Sequence, residues 1–191
     1  VLAPKSKADL AFTMHMLSWL AVDGTAAIVE FPGVLYRGAA EAKIRQYLVE
    51  NNYVDAVIQL PPDLFFGTTI GTCIIVLKKS KQDSRVLFVD ASKQFVREGN
   101  KNKLSAENQE MILETLAKRV DIDHVAALVS AEAIRENGFN LSVSSYVEAE
   151  DAREEVDIVE LNARIKEIVE RQAVLRASID EIVADLEGGA R

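Results

Sequence analysis

The sequence predicts an α/β fold in which parallel strands are followed by a reversed strand and, at the C-terminus, by a long helix. Apolar runs alternate with helical patterns between residues 25 and 60, which is typical of a parallel sheet. The eleven residues 61–71 that follow contain no helical pattern. Apolar residues then recur in a heptad repeat from 158 to 186. With 191 residues, of which 49% are hydrophobic, the chain has the size of one domain or of one domain with an appendage.

The first helix is expected to begin at Ser6 and to end near Leu20. Ser6 and Asp9 have the spacing of a capping box, with the serine as the N-cap. Apolar residues occur almost all round this helix, so we expect it to be buried on most sides. His15 lies among them and is expected to be a hydrogen-bonded core residue.

Two buried strands are predicted at 25–31 and 53–60, with a helix over 38–51 between them. A third strand is predicted at 72–78, and no helix precedes it. Because parallel crossovers normally need a helix, this third strand is predicted to run antiparallel to the first two. A fourth strand is expected at 85–90.

Three parts are expected: a partial α/β domain over 1–105, a helical connecting region over 106–150 and a long coiled-coil-like helix over 151–191. Ser105 and Ser130 are expected to cap helices of the connecting region. The first part has 13 basic and 10 acidic residues, a net charge of +3, whereas the remainder has 9 basic and 20 acidic residues. The overall charge of −8 therefore comes from the C-terminal parts, which is typical of a solvated helical surface or a protein-binding arm.

The C-terminal helix is predicted from about Glu154 to Leu186, where no glycine or proline occurs, and Gly188-Gly189 is expected to end it. A helix of about 30 residues spans roughly 45 Å, which is too long for so small a domain to cover. We therefore expect its heptad seam to bind a partner helix, with its one polar member fixing register or partner. The seam consists of Ile158, Leu161, Ile165, Ile168, Gln172, Leu175, Ile179, Ile182 and Leu186.

Composition excludes several kinds of site. Cys73 is the only cysteine, so neither an intrachain disulfide nor a cysteine-based zinc site is possible, and we expect it to be buried in its strand. With two histidines and no metal-ligand spacing, no metal site is expected. No apolar run reaches about 18 residues, so neither a membrane span nor a membrane partner is expected. The chain has no Gly-rich phosphate loop, and no catalytic residue is predicted within it.

The loop over 61–71 is the most unusual stretch of the sequence. Pro61 and Pro62 restrict its entry to few conformations. Phe65 and Phe66 follow, and aromatic rings on a loop at a sheet end suit stacking on a flat ligand such as a flipped base. The alternative is that both rings pack against the helices as core residues.

Two further groups are candidates for binding. Asp9 and Phe12 of the first helix are candidates for a cofactor or target pocket, although capping and packing explain both residues equally well. A basic cluster at the end of the third strand is a candidate for phosphate contact, the alternative being a solvated strand end. It consists of Lys78, Lys79, Lys81 and Arg85.

Segments spread in order over nearly the whole chain resemble the modification subunits of type I restriction-modification systems. The matching segments are ADLAF at 8–12, HML at 15–17, GTAAIV at 24–29, GVL at 33–35, IQLP at 58–61, FFGT at 65–68, TCIIVL at 72–77, FNLS at 139–142 and YV at 146–147. The loop motif at 58–68 is the most specific of them. The resemblance implies the C-terminal half of a Rossmann-like S-adenosylmethionine-dependent methyltransferase sheet, which ends in a reversed strand.

The resemblance implies a DNA methyltransferase that moves a methyl group from S-adenosylmethionine to the exocyclic amine of a flipped adenine. Its implied partners are a specificity subunit that chooses the DNA target, a restriction subunit, and DNA through the assembled complex. The C-terminal helix matches the arm that packs on the specificity subunit, and Phe65 or Phe66 matches the aromatic position that packs against the target base. The family resemblance also implies a cytoplasmic protein.

Two motifs of the family are absent from this chain: the Gly-rich cofactor motif and the catalytic Asn/Asp-Pro-Pro-Phe/Tyr motif. Pro61-Pro62 is no substitute, because Leu60 stands where the acid or amide is needed. Both motifs normally lie upstream of such a segment, and the chain begins at Val1 rather than at methionine. We therefore expect a C-terminal fragment that is inactive alone and binds no cofactor, whereas the full-length subunit binds S-adenosylmethionine.

Two alternatives remain. The chain could be a non-enzymatic α/β assembly module that presents its helix for oligomerisation, and self-association through that helix is compatible with either reading. It could also be part of a different nucleotide-dependent α/β enzyme, although the aromatic loop and the reversed third strand argue against this.

Overall fold

The computed structural model describes residues 2–150 and 158–188. The chain divides into two compact units, residues 1–150 and residues 151–191. Residues 151–157, where the C-terminal helix was expected to begin, lie outside the described residues, as do residues 189–191, which include the second glycine of the expected stop Gly188-Gly189.

The first unit contains four helices and seven strands among its described residues, and the second contains one helix. In chain order they are α1 (Asp9–Trp19), β1 (Thr25–Glu30), α2 (Ala39–Glu50), β2 (Val54–Gln59), β3 (Cys73–Lys78), β4 (Val86–Asp90), β5 (Val96–Glu98), β6 (Lys101–Lys103), α3 (Ala106–Lys118), β7 (Ala126–Val129), α4 (Ala131–Glu136) and α5 (Ile158–Gly188). Short 3₁₀ turns occur at Pro32–Leu35 and Val143–Ser145.

Five strands form one mixed sheet in the order β1-β3-β2-β4-β7. β3 is antiparallel to both β1 and β2, between which it lies, so the prediction of a reversed third strand is confirmed. β2 and β4 are parallel. Among the described residues β1 pairs with β3 on one side only, which makes it an edge of the sheet.

Two sets of strands are not predicted by the sequence. β7 lies in the region expected to be a helical connection, and it pairs antiparallel with β4 as the fifth strand of the sheet. β5 and β6 form a separate two-stranded hairpin. The residues 106–150 therefore contribute to the sheet as well as to its helical cover, and they belong to the same compact unit as the first 105 residues.

Apolar side chains are buried on both faces of the sheet. Successive residues of β2 alternate between the faces: Val57 belongs to the cluster covered by α1, α2 and α4, whereas Ala56 and Ile58 belong to the cluster covered by α3. The ring of Phe88 in β4 is fully buried and stacks on Tyr146, with 4.3 Å between ring centroids. This burial on two faces explains the nearly continuous apolar runs of the central strands.

The helix caps are partly as predicted. Ser105 forms a capping box with Asn108, and Ser130 caps α4 by accepting a hydrogen bond from the backbone of Ala133. The predicted cap at Ser6 is wrong, because α1 begins at Asp9 and its N-cap position, Ala8, has no capping side chain.

The predicted burial of α1 is also wrong for the described residues. α1 packs against β1, the edge strand, and its buried residues are Leu10, Thr13 and Leu17. Phe12 is 64% exposed and Trp19 is 82% exposed. A helix on an edge strand has a neighbour on one side, and an apolar pattern all round the helix cannot show which sides have one.

Candidate functional site

The parallel strands β1, β2 and β4 all end on the same side of the sheet, at Glu30, Gln59 and Asp90. We call this side, formed by the carboxyl ends of the three strands, the carboxyl edge. β3 begins at this edge, because Cys73 pairs with both Glu30 and Gln59. The loop over 61–71 leaves β2 at the same edge. Ligands of open α/β sheets bind outside the carboxyl ends of the parallel strands, so this edge is the candidate site.

The base of the loop is closed by hydrogen bonds between its two ends. The backbone amide of Leu60 donates to the carbonyl oxygen of Thr72 over 2.8 Å, and the amide side chain of Gln59 donates to the same oxygen over 3.1 Å. Gly71 allows this approach, since a Cβ atom there would lie 3.1 Å from the carbonyl oxygen of Leu60. The loop therefore begins and ends at one fixed point.

The loop presents its two phenylalanines differently. The side chain of Phe66 is 100% exposed, whereas Phe65 is 39% exposed. Leu64, just before them, packs against the apolar cluster under α3. Among the described residues Phe66 is therefore not a core residue. Contact of either ring with a base stays a prediction, and the exposed ring of Phe66 is the more available of the two.

The β5–β6 hairpin, which is not among the predicted elements, contacts this loop. Lys101 and Asn102 donate hydrogen bonds to carbonyl oxygens of the loop, and Arg97 lies 3.5 Å from a carboxylate oxygen of Asp63. Two strands of three residues each have no detectable periodicity. The one sequence signal available was a cluster of basic residues directly after β4.

A group of polar side chains lies at the carboxyl end of β1, next to α1. The hydroxyl of Thr13 donates to the carboxylate of Glu30 over 2.9 Å. Burial raises the pKa of Glu30, the bond from Thr13 opposes this, and the charges of Asp9 and Glu41 add to the rise. Arg37 lies 3.6 Å from Glu41 and 4.0 Å from Asp9. This arrangement places the N-terminal half of α1 at the candidate site.

Asp9 and Phe12 therefore lie at the same edge of the sheet as the aromatic loop. A cavity of about 440 Å³ opens next to Arg37, which lies 4.0 Å from Asp9, and Lys7, Arg37 and Glu41 are among its lining residues. Because the lining carries charges of both signs, the cavity does not favour a simple anion. Roles for Asp9 and Phe12 in a cofactor or target pocket stay predictions.

The basic cluster at the end of β3 lies at the opposite edge of the sheet, since Lys78 pairs with Thr25 at the start of β1. Each member has a partner within the protein. Lys78 lies 2.9 Å from a carboxylate oxygen of Asp55, and Lys79 donates to the carbonyl oxygen of Leu20. A role in phosphate contact stays a prediction for the cluster of Lys78, Lys79, Lys81 and Arg85. It would require each side chain to give up its contact within the protein.

Lys81 and Arg85 also have partners, which lie in or next to the turn between β3 and β4. The ammonium of Lys81 donates to the carbonyl oxygens of Val54 and Arg85, and burial lowers the pKa of Lys81 to about 8. The guanidinium of Arg85 pairs with Asp83 over 2.9 Å. These contacts fix the turn between β3 and β4.

Cys73 and the histidines supply no chemistry that we can identify. Cys73 is buried as predicted, and burial followed by the charge of Glu30 raises the pKa of its thiol to about 12, so it is not a thiolate near neutral pH. The prediction of a buried His15 is wrong: it is exposed and lies against Trp19. Within residues 2–150 and 158–188 no group of acidic, cysteine or histidine side chains could hold a metal ion, and no helix is long and apolar enough to span a membrane.

α5 is one unbroken helix from Ile158 to Gly188, as the absence of glycine and proline predicts. The apolar members of its heptad seam are all exposed on it. Pairing of this seam with another helix stays a prediction.

The chain is similar in sequence and in structure to known proteins. Residues 1–155 match the protein family described as N-6 DNA Methylase. The chain is 48% identical over 186 residues to the type I restriction enzyme MpnII methylase subunit of Mycoplasma pneumoniae. The aligned region covers 97% of this chain and 34% of that subunit. The crystal structure of a type I restriction-modification methyltransferase subunit from Streptococcus thermophilus is 47% identical, with a TM-score of 0.76, over 77% of this chain and 32% of that chain.

A third match extends over the C-terminal helix. It is a structure determined for the assembly and conformational transition of the type I restriction-modification system, with a TM-score of 0.62 over 98% of this chain and 41% of that chain. At 18% identity it shows a shared fold. The chain spans about a third of the length of the Mycoplasma and Streptococcus relatives.

Proposed function

This chain belongs to the N-6 DNA methylase family, and from that premise we propose that it forms the C-terminal part of a type I methylase subunit. The complete subunit transfers a methyl group from S-adenosylmethionine to the exocyclic amine of adenine in DNA. The observation that carries the proposal is the ring of Phe66, fully exposed on a closed loop at the carboxyl edge of the sheet.

An exposed aromatic ring at this position fits the chemistry of base methylation. The target atom of a base inside a duplex is out of reach, so the base must be turned out of the stack and held. Stacking on an aromatic side chain holds a base without a demand on its hydrogen-bonding edge, which stays open for the reaction. We assign this contact to Phe66, with Phe65 behind it.

Two carboxylates at the carboxyl edge already have hydrogen-bond partners within the protein. At the carboxyl edge the carboxylate of Glu30 accepts a hydrogen bond from Thr13, and that of Asp90 accepts one from the backbone of Ser92. The guanidinium of Arg37 lies against Gly33, the glycine that follows β1. We therefore propose that cofactor binding and catalytic residues belong to other parts of the subunit, and that this chain alone is inactive.

The unpaired side of the edge strand β1 indicates that the sheet continues in the complete subunit. Among the described residues its outer side has no neighbour, and Val29 on it is 48% exposed. A long edge strand with free backbone groups normally pairs or is protected. We propose that further strands of the subunit pair with β1, and that Phe12 and Trp19 of α1 are covered in the same way.

The proposed partners follow from α5. Its exposed heptad seam, interrupted by Gln172, suits a coiled coil with a helix of the specificity subunit, which chooses the DNA target. A restriction subunit joins this complex, and DNA is reached through the assembly in the cytoplasm. A non-enzymatic assembly module remains the second candidate, favoured by the seam but not by the exposed ring of Phe66.

The test is a methylation assay on the full-length subunit that carries this segment, assembled with its specificity subunit. Labelled S-adenosylmethionine and DNA containing the target are supplied, and the modified base is identified by mass spectrometry. We expect N6-methyladenine with the complete subunit and none with the 191-residue chain. In isothermal titration the 191-residue chain should not bind S-adenosylmethionine at low micromolar concentration. Methylation of cytosine, or no methylation by the complete subunit, would overturn the proposal.

A further inference from the structure

An exposed ring holds a base well only if the loop that carries it is already ordered. The loop over 61–71 buries Pro61 at its entry and partly buries Leu64, and one hydrogen bond lies within its outer part, from the amide of Ile70 to the hydroxyl of Thr68. Its closed base leaves the tip, with Phe66 and Gly67, to be fixed by other contacts. Those contacts come from the β5–β6 hairpin.

Lys101 of the hairpin joins the two sides of the loop tip. Its ammonium nitrogen lies 3.1 Å from the carbonyl oxygen of Phe65 and 3.1 Å from that of Thr68. These oxygens flank Phe66 and Gly67, the latter with a φ of +80°. Hydrogen bonds from a charged donor are stronger than neutral ones, so one side chain fixes the turn from which the ring of Phe66 projects.

Asn102 holds the entry of the loop. It is 5% exposed, its backbone amide donates to the carbonyl oxygen of Asp63 over 3.1 Å, and its side chain donates to that of Pro62 over 2.8 Å. Its own side-chain oxygen accepts from Arg97 over 2.9 Å. Asp63 has a φ of +56°, a conformation that needs support in a residue other than glycine. Asn102 thus holds the entry of the loop, and Lys101 holds its tip.

We propose that the β5–β6 hairpin is the positioning element for the target-base contact: Lys101 and Asn102 hold the loop so that Phe66 meets the flipped adenine in one fixed position. This inference rests on the proposed function. Ordering the loop before the base arrives removes an entropy cost that base binding would otherwise carry. Lys101 and Asn102 are positioning residues, because they act through Phe66.

The order of the loop can be measured on the 191-residue chain itself. Lys101→Met removes the ammonium and keeps a long side chain, and Lys103→Met is its matched control, because Lys103 in the same hairpin pairs with Glu98 and not with the loop. The backbone order parameters S² of Phe66 and Gly67, measured by ¹⁵N relaxation, should fall from about 0.85 to below about 0.6 in Lys101→Met. They should stay unchanged in Lys103→Met. Equal order parameters in both variants would overturn the inference.

The link to Phe66 is measured by a double-mutant cycle in the full-length subunit. Lys101→Met should lower kcat for adenine methylation roughly fivefold to tenfold, with Lys101→Arg recovering part of the loss. In a Phe66→Ala background the same change should have little effect, because the ring to be positioned is gone. Additive losses, or a change confined to KM and its salt dependence as expected of a phosphate contact, would overturn it. If Phe66→Ala alone leaves kcat unchanged, the base contact in the proposed function fails, and the order parameters of the loop still test the role of the hairpin separately.

Discussion

Thr13 on α1 donates its hydroxyl hydrogen to the buried carboxylate of Glu30, with 2.9 Å between the two oxygens. The bond joins the N-terminal half of α1 to the carboxyl end of β1, which is the end of the strand where the candidate site lies. The bond also gives the buried carboxylate of Glu30 a hydrogen-bond donor. A buried carboxylate without a donor would strongly destabilise the fold. This contact therefore fixes where Asp9 and Phe12 lie relative to the sheet.

Glu30 should make the stability of the fold depend on pH. Burial raises its pKa in the folded state, so the folded protein binds the proton more tightly than the unfolded chain. Its contribution to stability is fully present below the unfolded pKa and is lost as pH rises through the folded pKa. Glu30→Gln, which keeps an oxygen for Thr13, should be more stable than the parent at pH 7 and lose that advantage near pH 4. Urea unfolding of both proteins from pH 4 to pH 7 measures this, and a constant difference between them would contradict it.

Arg45 on α2 is expected to be essential for the fold. It is 3% exposed, and its guanidinium donates to the carbonyl oxygens of Val34 and Phe139, over 2.9 Å in each case. Arg45→Met would leave both oxygens and the buried Glu41 without this cation, at a cost of about 3 kcal/mol. Lys43→Met, on an exposed face of the same helix, should cost less than about 0.5 kcal/mol. Urea unfolding compares the two, and equal losses would show that Arg45 has no special role.

The α5 seam can be tested by charge. Ile165→Glu combined with Leu175→Glu places two carboxylates in the proposed helix interface, where a buried unpaired charge is not tolerated. Binding to the specificity subunit should fall at least a hundredfold, as measured by sedimentation or pull-down. Circular dichroism should show that residues 1–150 remain folded. The matched control is Ala163→Glu with Val174→Glu, which adds the same charge outside the seam and should bind normally; loss of binding in both would make the seam assignment wrong.

An element of this fold can be predicted from the sequence when its pattern extends over enough residues to be recognised. The reversed β3 could be predicted, because eleven loop residues without a helix rule out most parallel crossovers. The strands β5, β6 and β7 could not, because three or four residues do not establish a period. β5 and β6 are also charged, which is typical of a loop.

The candidate site was predictable in part for a similar reason. The motif around Phe65 and Phe66 marks the loop, but two adjacent aromatic residues do not reveal which ring faces outwards. Contacts distant in sequence decide this: Leu64 packs inwards, and Lys101 bonds on both sides of the tip. The burial of Arg45 was equally hidden, since arginine on a helix is normally exposed.

The most direct test of the central claim is kcat for adenine methylation by the assembled full-length subunit with Phe66 changed. Loss of an aromatic–base stack costs about 1–3 kcal/mol, so Phe66→Ala should lower kcat by roughly tenfold to a hundredfold. Phe66→Tyr, which keeps the ring, should stay within about twofold of the parent, and Phe65→Ala should lose less than Phe66→Ala. Undiminished kcat in Phe66→Ala, with the protein folded, would contradict the claim that this ring holds the target base.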